Sequence, residues 1–284
     1  MSIVDGKNIA AEIIENSRIK ISSLKNKGIF PYIEILLIGN DEGSEKYVQM
    51  KLEKIKEVGA NGNIKKIDES KSDEGIIEII RELNLNRKVN GILVQLPLPD
   101  KFNEENILSE IALEKDIDAL NPITLEKIEQ NISSYRPAGV DAIMVIFERH
   151  KVTINKKNIT IVGITNLIGR PLAPVLRQKG GIVNEISVGK HLTLDDLIKT
   201  DIIVTDIGKP EWLKKEMVKD QVTIIDAANN YVNGKLLGDV DMNGMINKVN
   251  IITPVPGGVG PILIASLIEN LIKAAEKSFY ANKY

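Results

Sequence analysis

The chain of 284 residues contains no cysteine. That excludes thiolate nucleophiles, disulfides and cysteine-ligated zinc or iron–sulfur centres. Histidine is nearly absent as well: His150 closes an expected helix and His191 lies in a Gly-Lys-His loop. A Ser-His-Asp triad or a histidine-rich metal site is therefore not expected, and no metal is assigned. No charge of one sign dominates, with 37 basic and 39 acidic residues and a net charge of −2. Nothing in that balance points to nucleic acid, and no polybasic run points to a membrane surface. No apolar run is long enough to span a bilayer, and the first residues lack the pattern of a signal peptide, so the cytoplasm is the expected compartment. Proton transfers, if this is an enzyme, fall to Lys, Tyr, Asp or Glu.

Hydrophobic residues make up 43% of the chain, enough to bury a full core, and the length suggests two domains. Strand-like and helix-like segments alternate throughout. Asp5 can cap a helix running to about Lys27, and Gly28 ends it. Apolar runs at Ile33 to Ile38 and Gly91 to Leu96 read as buried strands, Ser44 to Val58 as a helix ended by Gly59, and Ser72 as the cap of another helix. Asn103 to Ile111 reads as helical. A second series begins near Gly139. Strands are expected at Ile159 to Val162, Ile182 to Ile186, Ile202 to Thr205 and Val222 to Ile225, with a helix starting at Pro171. Asn233-Gly234 is a hairpin signal. Alternation of this kind implies an α/β fold with parallel sheets covered by helices.

Four features stand out. Thr253-Pro254-Val255-Pro256-Gly257-Gly258-Val259-Gly260-Pro261 packs three prolines and three glycines into nine residues, which makes a rigid linker or a shaped ligand loop. Gly163 to Pro171 joins a strand to a helix through a glycine loop. It is either a structural turn or an anion site where N–H groups and the helix dipole meet a pyrophosphate. Tyr47 and Lys51 are four apart on one helix face beside the apolar stripe Val48, Leu52 and Ile55, at the edge of the core. They form a cleft-side pair or a snorkelling lysine next to a packing tyrosine. Gln95 is the one polar residue inside Gly91 to Pro99, and either bonds nearby backbone or reaches a ligand at a strand end.

The strings that hold these features resemble one family, the bifunctional methylenetetrahydrofolate dehydrogenase/cyclohydrolases. TPVPGGVGP resembles the family signature. Ser44, Tyr47 and Lys51 match S-x-x-Y-x-x-x-K, and GILVQLPLP is a specific family string. Gly163, Thr165, Ile168, Gly169, Arg170 and Pro171 match the dinucleotide loop G-x-[ST]-x-x-[VI]-G-R-P. Ile207-Gly208-Lys209-Pro210 is similar to V-G-K-P, and Asn233 to Val240 to N-G-K-x-x-G-D-V. The resemblance covers about residues 1 to 275.

It implies a folate-binding catalytic domain over 1–138 plus 262–284, with the last helix packing back on it, and a Rossmann-like NAD(P)-binding domain over 139–261. It also implies oxidation of 5,10-methylenetetrahydrofolate, then hydrolysis to 10-formyltetrahydrofolate, with tetrahydrofolate derivatives as substrates, NADP (or NAD) as cofactor, and a homodimer. By that resemblance Lys51 is the general acid/base, held by Gln95, and Tyr47 packs the folate. Asp118 orients the pterin, and Pro256, Gly257 and Gly258 bring backbone to the substrate. Cofactor binding falls to Gly163, Thr165, Asn166, Gly169, Arg170, Ser187, Gly208, Lys209 and Pro210. A 2′-phosphate could meet Arg170, Ser187, Lys190 or His191, whereas Glu185 stands where a free ribose 2′-OH would be bound.

The chain departs from the pattern in places. Ala119 stands where the family usually has glycine, Ser134-Tyr135-Arg136-Pro137 replaces P-C-T-P, Asp206 replaces a small apolar residue, and Ala227-Ala228-Asn229-Asn230 replaces V-G-I-N. The changes at 206 and 227–230 touch the nicotinamide side. A monofunctional dehydrogenase on a modified pterin carrier, or a nucleotide-binding regulatory protein, are the rival readings.

Overall fold

The computed structural model describes residues 2–133, 135–187 and 193–281. The chain runs β1 (Ser2–Ile3), α1 (Gly6–Asn26), β2 (Tyr32–Ile38), α2 (Glu42–Glu57), β3 (Asn61–Ile67), α3 (Asp73–Leu85), β4 (Gly91–Val94), α4 (Glu104–Ser109), α5 (Pro122–Glu129) and α6 (Ala138–Arg149). It continues β5 (Asn158–Val162), α7 (Gly169–Gln178), β6 (Ile182–Ile186), α8 (Leu194–Ile198), β7 (Ile202–Thr205), β8 (Val222–Asp226), β9 (Asn230–Val232), β10 (Lys235–Leu237), β11 (Val249–Ile252) and α9 (Val259–Ala281). Local chemistry sets many of the ends. Asp5 accepts the Asn8 N–H at the start of α1, Asp41 accepts from Ser44 at α2, and Ser72 from Gly75 at α3. Gly28 and Gly59 follow α1 and α2 with φ of +80° and +87°.

Two compact units result. One gathers the chain up to Ala11, Ile128–Ile132 and Arg136–Leu263; the other gathers Glu12–Lys127, the stretch at Tyr135 and the chain from Ile264. The second unit holds a three-stranded parallel sheet in the order β3-β2-β4. Its core joins Leu36, Ile76, Ile80, Ile92, Val94 and Ile107. The C-terminal helix packs on this unit as expected: Glu269 of α9 pairs with Lys20 of α1 at 3.2 Å, and Asn270 donates to the Ile117 carbonyl at 2.9 Å.

The first unit holds a six-stranded sheet in the order β1-β11-β8-β7-β5-β6, parallel throughout. From β5 the chain steps outward to β6, then crosses back to place β7 on the other side. The carboxyl ends of β5 and β7 therefore flank a topological switch point, where α/β sheets bind ligands. The hairpin β9–β10 pairs Tyr231 with Leu236 across Asn233 and Gly234, both at positive φ, as the Asn-Gly signal requires.

The fold differs from the sequence reading at several boundaries. The expected division put residues 1–11 with the folate part, but β1 pairs with β11 and takes them into the six-stranded unit. α2 starts at Glu42 rather than Ser44, because Asp41 supplies the cap. β4 stops at Val94 rather than Leu96, ahead of the cis Leu96-Pro97 bond. α7 begins at Gly169, two residues before Pro171. β11 and α5 were not expected.

Candidate active site

Helix α2 buries Val48, Leu52 and Ile55, and with them Lys51, which is 4% exposed rather than at the edge of the core. Its ammonium lies 4.6 Å from the Tyr47 ring centroid and donates to Gln95 Oε1 at 3.0 Å. An ammonium offers only donors, so the Gln95 amide turns its oxygen to Lys51 and its nitrogen to the Leu96 carbonyl. The Gln95 backbone N–H is fixed by the Leu36 carbonyl at 2.9 Å. Gln95 is itself buried; it bonds local backbone, one of its two readings, and it also meets Lys51, the partner the resemblance implies.

Burial drives the Lys51 pKa down, and the charge of Asp118 partly opposes the fall. Burying an ammonium costs several kcal/mol. One hydrogen bond involving a charged group returns only about 1.5–3 kcal/mol. Burial thus favours the neutral amine over the ammonium, the direction an acid/base lysine needs.

Asp116 and Asp118 have separate tasks. Asp116 is buried and accepts the Leu120 and Asn121 N–H groups and the Thr124 hydroxyl, tying down the turn ahead of α5, which Asn121 caps through the Ile123 N–H. Desolvation outweighs those bonds and pushes it up to about 6. Asp118 is only half-buried, and its charge acts on Lys51. Between them and the next helix, Ala119 sits at φ +56°, a left-handed position that favours glycine by about 1–2 kcal/mol. Lys115, buried nearby, donates to the carbonyls of Leu83, Asn84 and Asn86 and so closes α3. Tyr135 is buried in the same unit, with its hydroxyl pushed up to about 12 by desolvation and Lys277 over its ring. Arg136 pairs with Asp141 at 2.6 Å.

In the six-stranded unit the loop after β5 is built on close backbone approach. Gly163 has φ +101°, and a Cβ there would lie 2.3 Å from the Asp206 carbonyl oxygen. A Cβ on Gly169 would lie 2.0 Å from the Gly163 carbonyl oxygen. Thr165 accepts the Ile168 N–H, gives its carbonyl to the Arg170 N–H, and donates its hydroxyl to Asp206 at 2.8 Å. Asn166 and Arg170 are exposed, and Ser187, at the end of β6, is half-buried. A glycine cradle at the N-terminus of α7 suits the pyrophosphate of a dinucleotide.

Across the crevice, Gly208 at φ +73°, Lys209 and Pro210 form an exposed loop hung on Asp239. That buried carboxylate accepts from the Thr205 hydroxyl, the Ile207 and Lys209 N–H groups and the Asn230 amide. Asp206 is pushed up to about 6, by burial and by the charge of Asp239. Asp226 accepts the Ala228 and Val240 N–H groups, and desolvation pushes it up to about 7. Ala227-Ala228-Asn229-Asn230 is therefore held to Asp226 and Asp239 by backbone and amide bonds.

A pocket of about 580 Å³ is lined by Ile164, Arg170, Pro174, Arg177, Glu185 and their neighbours. Glu185 is half-buried and accepts a hydrogen bond from Arg177. Lys190 and His191, like Ser134, lie outside the described residues. Pro256, Gly257 and Gly258 also belong to this unit. Gly257 has φ +106°, and a Cβ on Gly6 would sit 1.9 Å from the Gly258 carbonyl oxygen, so the start of α1 interlocks with the loop. Sequence reasoning missed the Thr165–Asp206 bond, the Arg177–Glu185 pair and the hub at Asp239. All three join residues eight or more positions apart, and only the G-D-V string marked one of them.

Comparison with known proteins agrees with this layout. Residues 4–118 match the tetrahydrofolate dehydrogenase/cyclohydrolase catalytic domain, and residues 137–279 match the NAD(P)-binding domain of the same family. The bifunctional protein FolD of Campylobacter hominis is 37% identical over 278 residues, covering 97% of this chain and 98% of that protein. The crystal structure of the bifunctional FolD methylenetetrahydrofolate dehydrogenase/cyclohydrolase of Campylobacter jejuni superposes with a TM-score of 0.94 at 33% identity, covering 98% and 99% of the two chains. The Trypanosoma brucei enzyme, complexed with NADP cofactor and an inhibitor, gives a TM-score of 0.93 at 26% identity and 98% coverage of both. The chain belongs to the tetrahydrofolate dehydrogenase/cyclohydrolase family.

Proposed function

We infer that this protein oxidises 5,10-methylenetetrahydrofolate to the 5,10-methenyl cation with NAD(P)+ and then hydrolyses that cation to 10-formyltetrahydrofolate. The observation that carries the reading is the buried Lys51–Gln95 pair beside Tyr47 and Asp118. NAD(P)+, which the loops at Gly163–Gly169 and Gly208–Pro210 would hold, would supply the hydride acceptor. The chain's own residues handle orientation and protons. Asp118 accepts donors of the pterin edge, and the Tyr47 ring packs against the folate. Neutral Lys51 takes a proton from the water that adds to the methenyl carbon. As an ammonium it returns that proton to the ring nitrogen as the carbon–nitrogen bond breaks, while the carbinol hydroxyl loses its proton to water and becomes the formyl carbonyl on N10. Gln95 keeps the amine aimed through both steps. A monofunctional dehydrogenase is not favoured, because the relatives named are bifunctional and the acid/base lysine is in place.

The dinucleotide is proposed to be NADP. Arg170 and Arg177 both line the pocket beside β6, and Arg177 neutralises the Glu185 carboxylate that would otherwise repel a 2′-phosphate. The test is the initial rate of reduced nucleotide formation that depends on methylenetetrahydrofolate. A higher kcat/KM with NADP+ than with NAD+ is expected. The reverse order would assign Glu185 to the ribose, and no folate-dependent reduction with either would overturn the reading.

The enzyme is further proposed to be a cytoplasmic C2 homodimer, the commonest symmetric assembly. Light scattering should give about twice the chain mass of 31.4 kDa. A mass of one chain at every concentration would reject the dimer.

A further inference from the structure

Asp206 is the unexpected group at the switch point. It follows β7 directly, as Gly163 follows β5, so the two face one crevice from adjacent strands. Its backbone is part of the cradle: its N–H donates to the Val162 carbonyl at 2.9 Å, and its own carbonyl leaves no room for a Cβ on Gly163. Its side chain is bound on one side only. Oδ2 accepts the Thr165 hydroxyl at 2.8 Å, while Oδ1 accepts no hydrogen bond from any described residue. A half-buried carboxylate with one oxygen held and the other open leaves an acceptor in the crevice for a donor brought by a ligand.

The chemistry of that donor follows from position. A pyrophosphate offers only acceptors and like charge, so it does not match Oδ1. In a doubly wound sheet the first strands hold the adenosine half and those beyond the switch point hold the nicotinamide half. Asp206 stands at the end of β7, beyond the switch point from β6. The neutral donor that fits there is a sugar hydroxyl.

We propose that Asp206 is a nucleotide-recognition residue that braces the Gly163–Gly169 loop through Thr165 with one oxygen and takes a hydroxyl of the nicotinamide-side ribose with the other. The proposal rests on the reading of the chain as an NAD(P)-dependent enzyme. Its two parts separate by experiment.

Trp212, the one tryptophan of the chain, donates to the Thr205 hydroxyl at 3.2 Å, next to Asp206, and its fluorescence reports binding there. Wild type, Asp206→Ala, Asp206→Asn and Thr165→Val are titrated with NADP+ and with adenosine 2′,5′-bisphosphate, which lacks the nicotinamide nucleoside. For Asp206→Ala, NADP+ affinity should fall about tenfold or more, as expected for a lost bond to a charged group, with the bisphosphate within about twofold of wild type. Asp206→Asn keeps an acceptor for Thr165 and should fall between the two. Thr165→Val loses the brace and the acceptor for the Ile168 N–H, and should weaken both ligands together. Unchanged NADP+ affinity in Asp206→Ala overturns the proposal. So does an equal loss of both ligands matching Thr165→Val, which would leave Asp206 as a brace only. Wild-type protein that binds neither NADP+ nor NAD+ would overturn the functional reading itself. Both Asp206 substitutions remove a partly desolvated carboxylate beside Asp239, so melting temperatures at or above wild type verify that the variants are folded.

Discussion

Lys51→Met is expected to lower methenyltetrahydrofolate hydrolysis by about 10²–10⁴, the usual contribution of a general acid/base. Hydride transfer should remain measurable. Hydrolysis moves a proton off water and a proton onto nitrogen, and in the proposed mechanism the buried Lys51 amine does both. Hydride transfer instead depends on alignment of two carbons, which Met at this position does not disturb. The variant should fold well. The folded-state pKa of Lys51 is lowered, so between that value and the ordinary lysine range the native form holds fewer protons than the unfolded chain. Wild-type stability therefore rises with pH across that window, and Met removes the dependence together with the buried charge. Lys51→Arg should rescue little, because guanidinium does not give up its proton near neutrality. Methenyl disappearance and reduced-nucleotide appearance, recorded separately on each variant, decide the matter. Wild-type hydrolysis in Lys51→Met would reduce Lys51 to a packing residue.

Gly169→Ala is expected to have the opposite profile. A Cβ there meets the Gly163 carbonyl oxygen at 2.0 Å and the Ile164 Cα at 2.9 Å. Both obstacles are backbone, so no side chain can swing aside, and the loop itself must shift. Misplacing a binding group by about 1 Å can cost about 10² in rate. Dehydrogenase kcat/KM should fall by that order, with NADP+ affinity falling alongside. Hydrolysis of added methenyltetrahydrofolate should stay near wild type, because Lys51, Gln95, Tyr47 and Asp118 lie in the other compact unit. Equal loss of both activities in folded Gly169→Ala protein would show that the nucleotide loop also supports the hydrolytic step.

Much of the fold was legible because its signals are local. Asp5, Ser72 and Gly28 mark helix ends by caps and a left-handed turn, Asn233-Gly234 marks the hairpin, and apolar runs mark the strands. Part of the candidate site was legible for a similar reason: Tyr47 and Lys51 share a helix face, and Gln95 is a lone amide in an apolar run, while their proposed roles rest on the resemblance. What the sequence hid depends on distant partners. β1 is two residues long and exists as a strand only because β11 lies beside it, about 250 positions on. The depth of Lys51 could not be read from periodicity, which placed it beside the apolar stripe and not inside the core. Nothing in the sequence separates Asp116 from Asp118; the donors from 120 to 124 show Asp116 holding the turn ahead of α5. Ala119 shows the reverse case: a departure from the family glycine that keeps the left-handed backbone and bears its strain.

The most direct test of the account is product stoichiometry in wild-type enzyme. Methylenetetrahydrofolate and NADP+ are mixed, and reduced nucleotide, methenyl and 10-formyl derivatives are quantified in the same reaction. One 10-formyltetrahydrofolate is expected for each nucleotide reduced, with the methenyl form draining faster than it does without protein. Reduced nucleotide that accumulates while the methenyl form decays only at its rate in buffer would contradict the account, leaving a dehydrogenase whose buried lysine takes no part in hydrolysis.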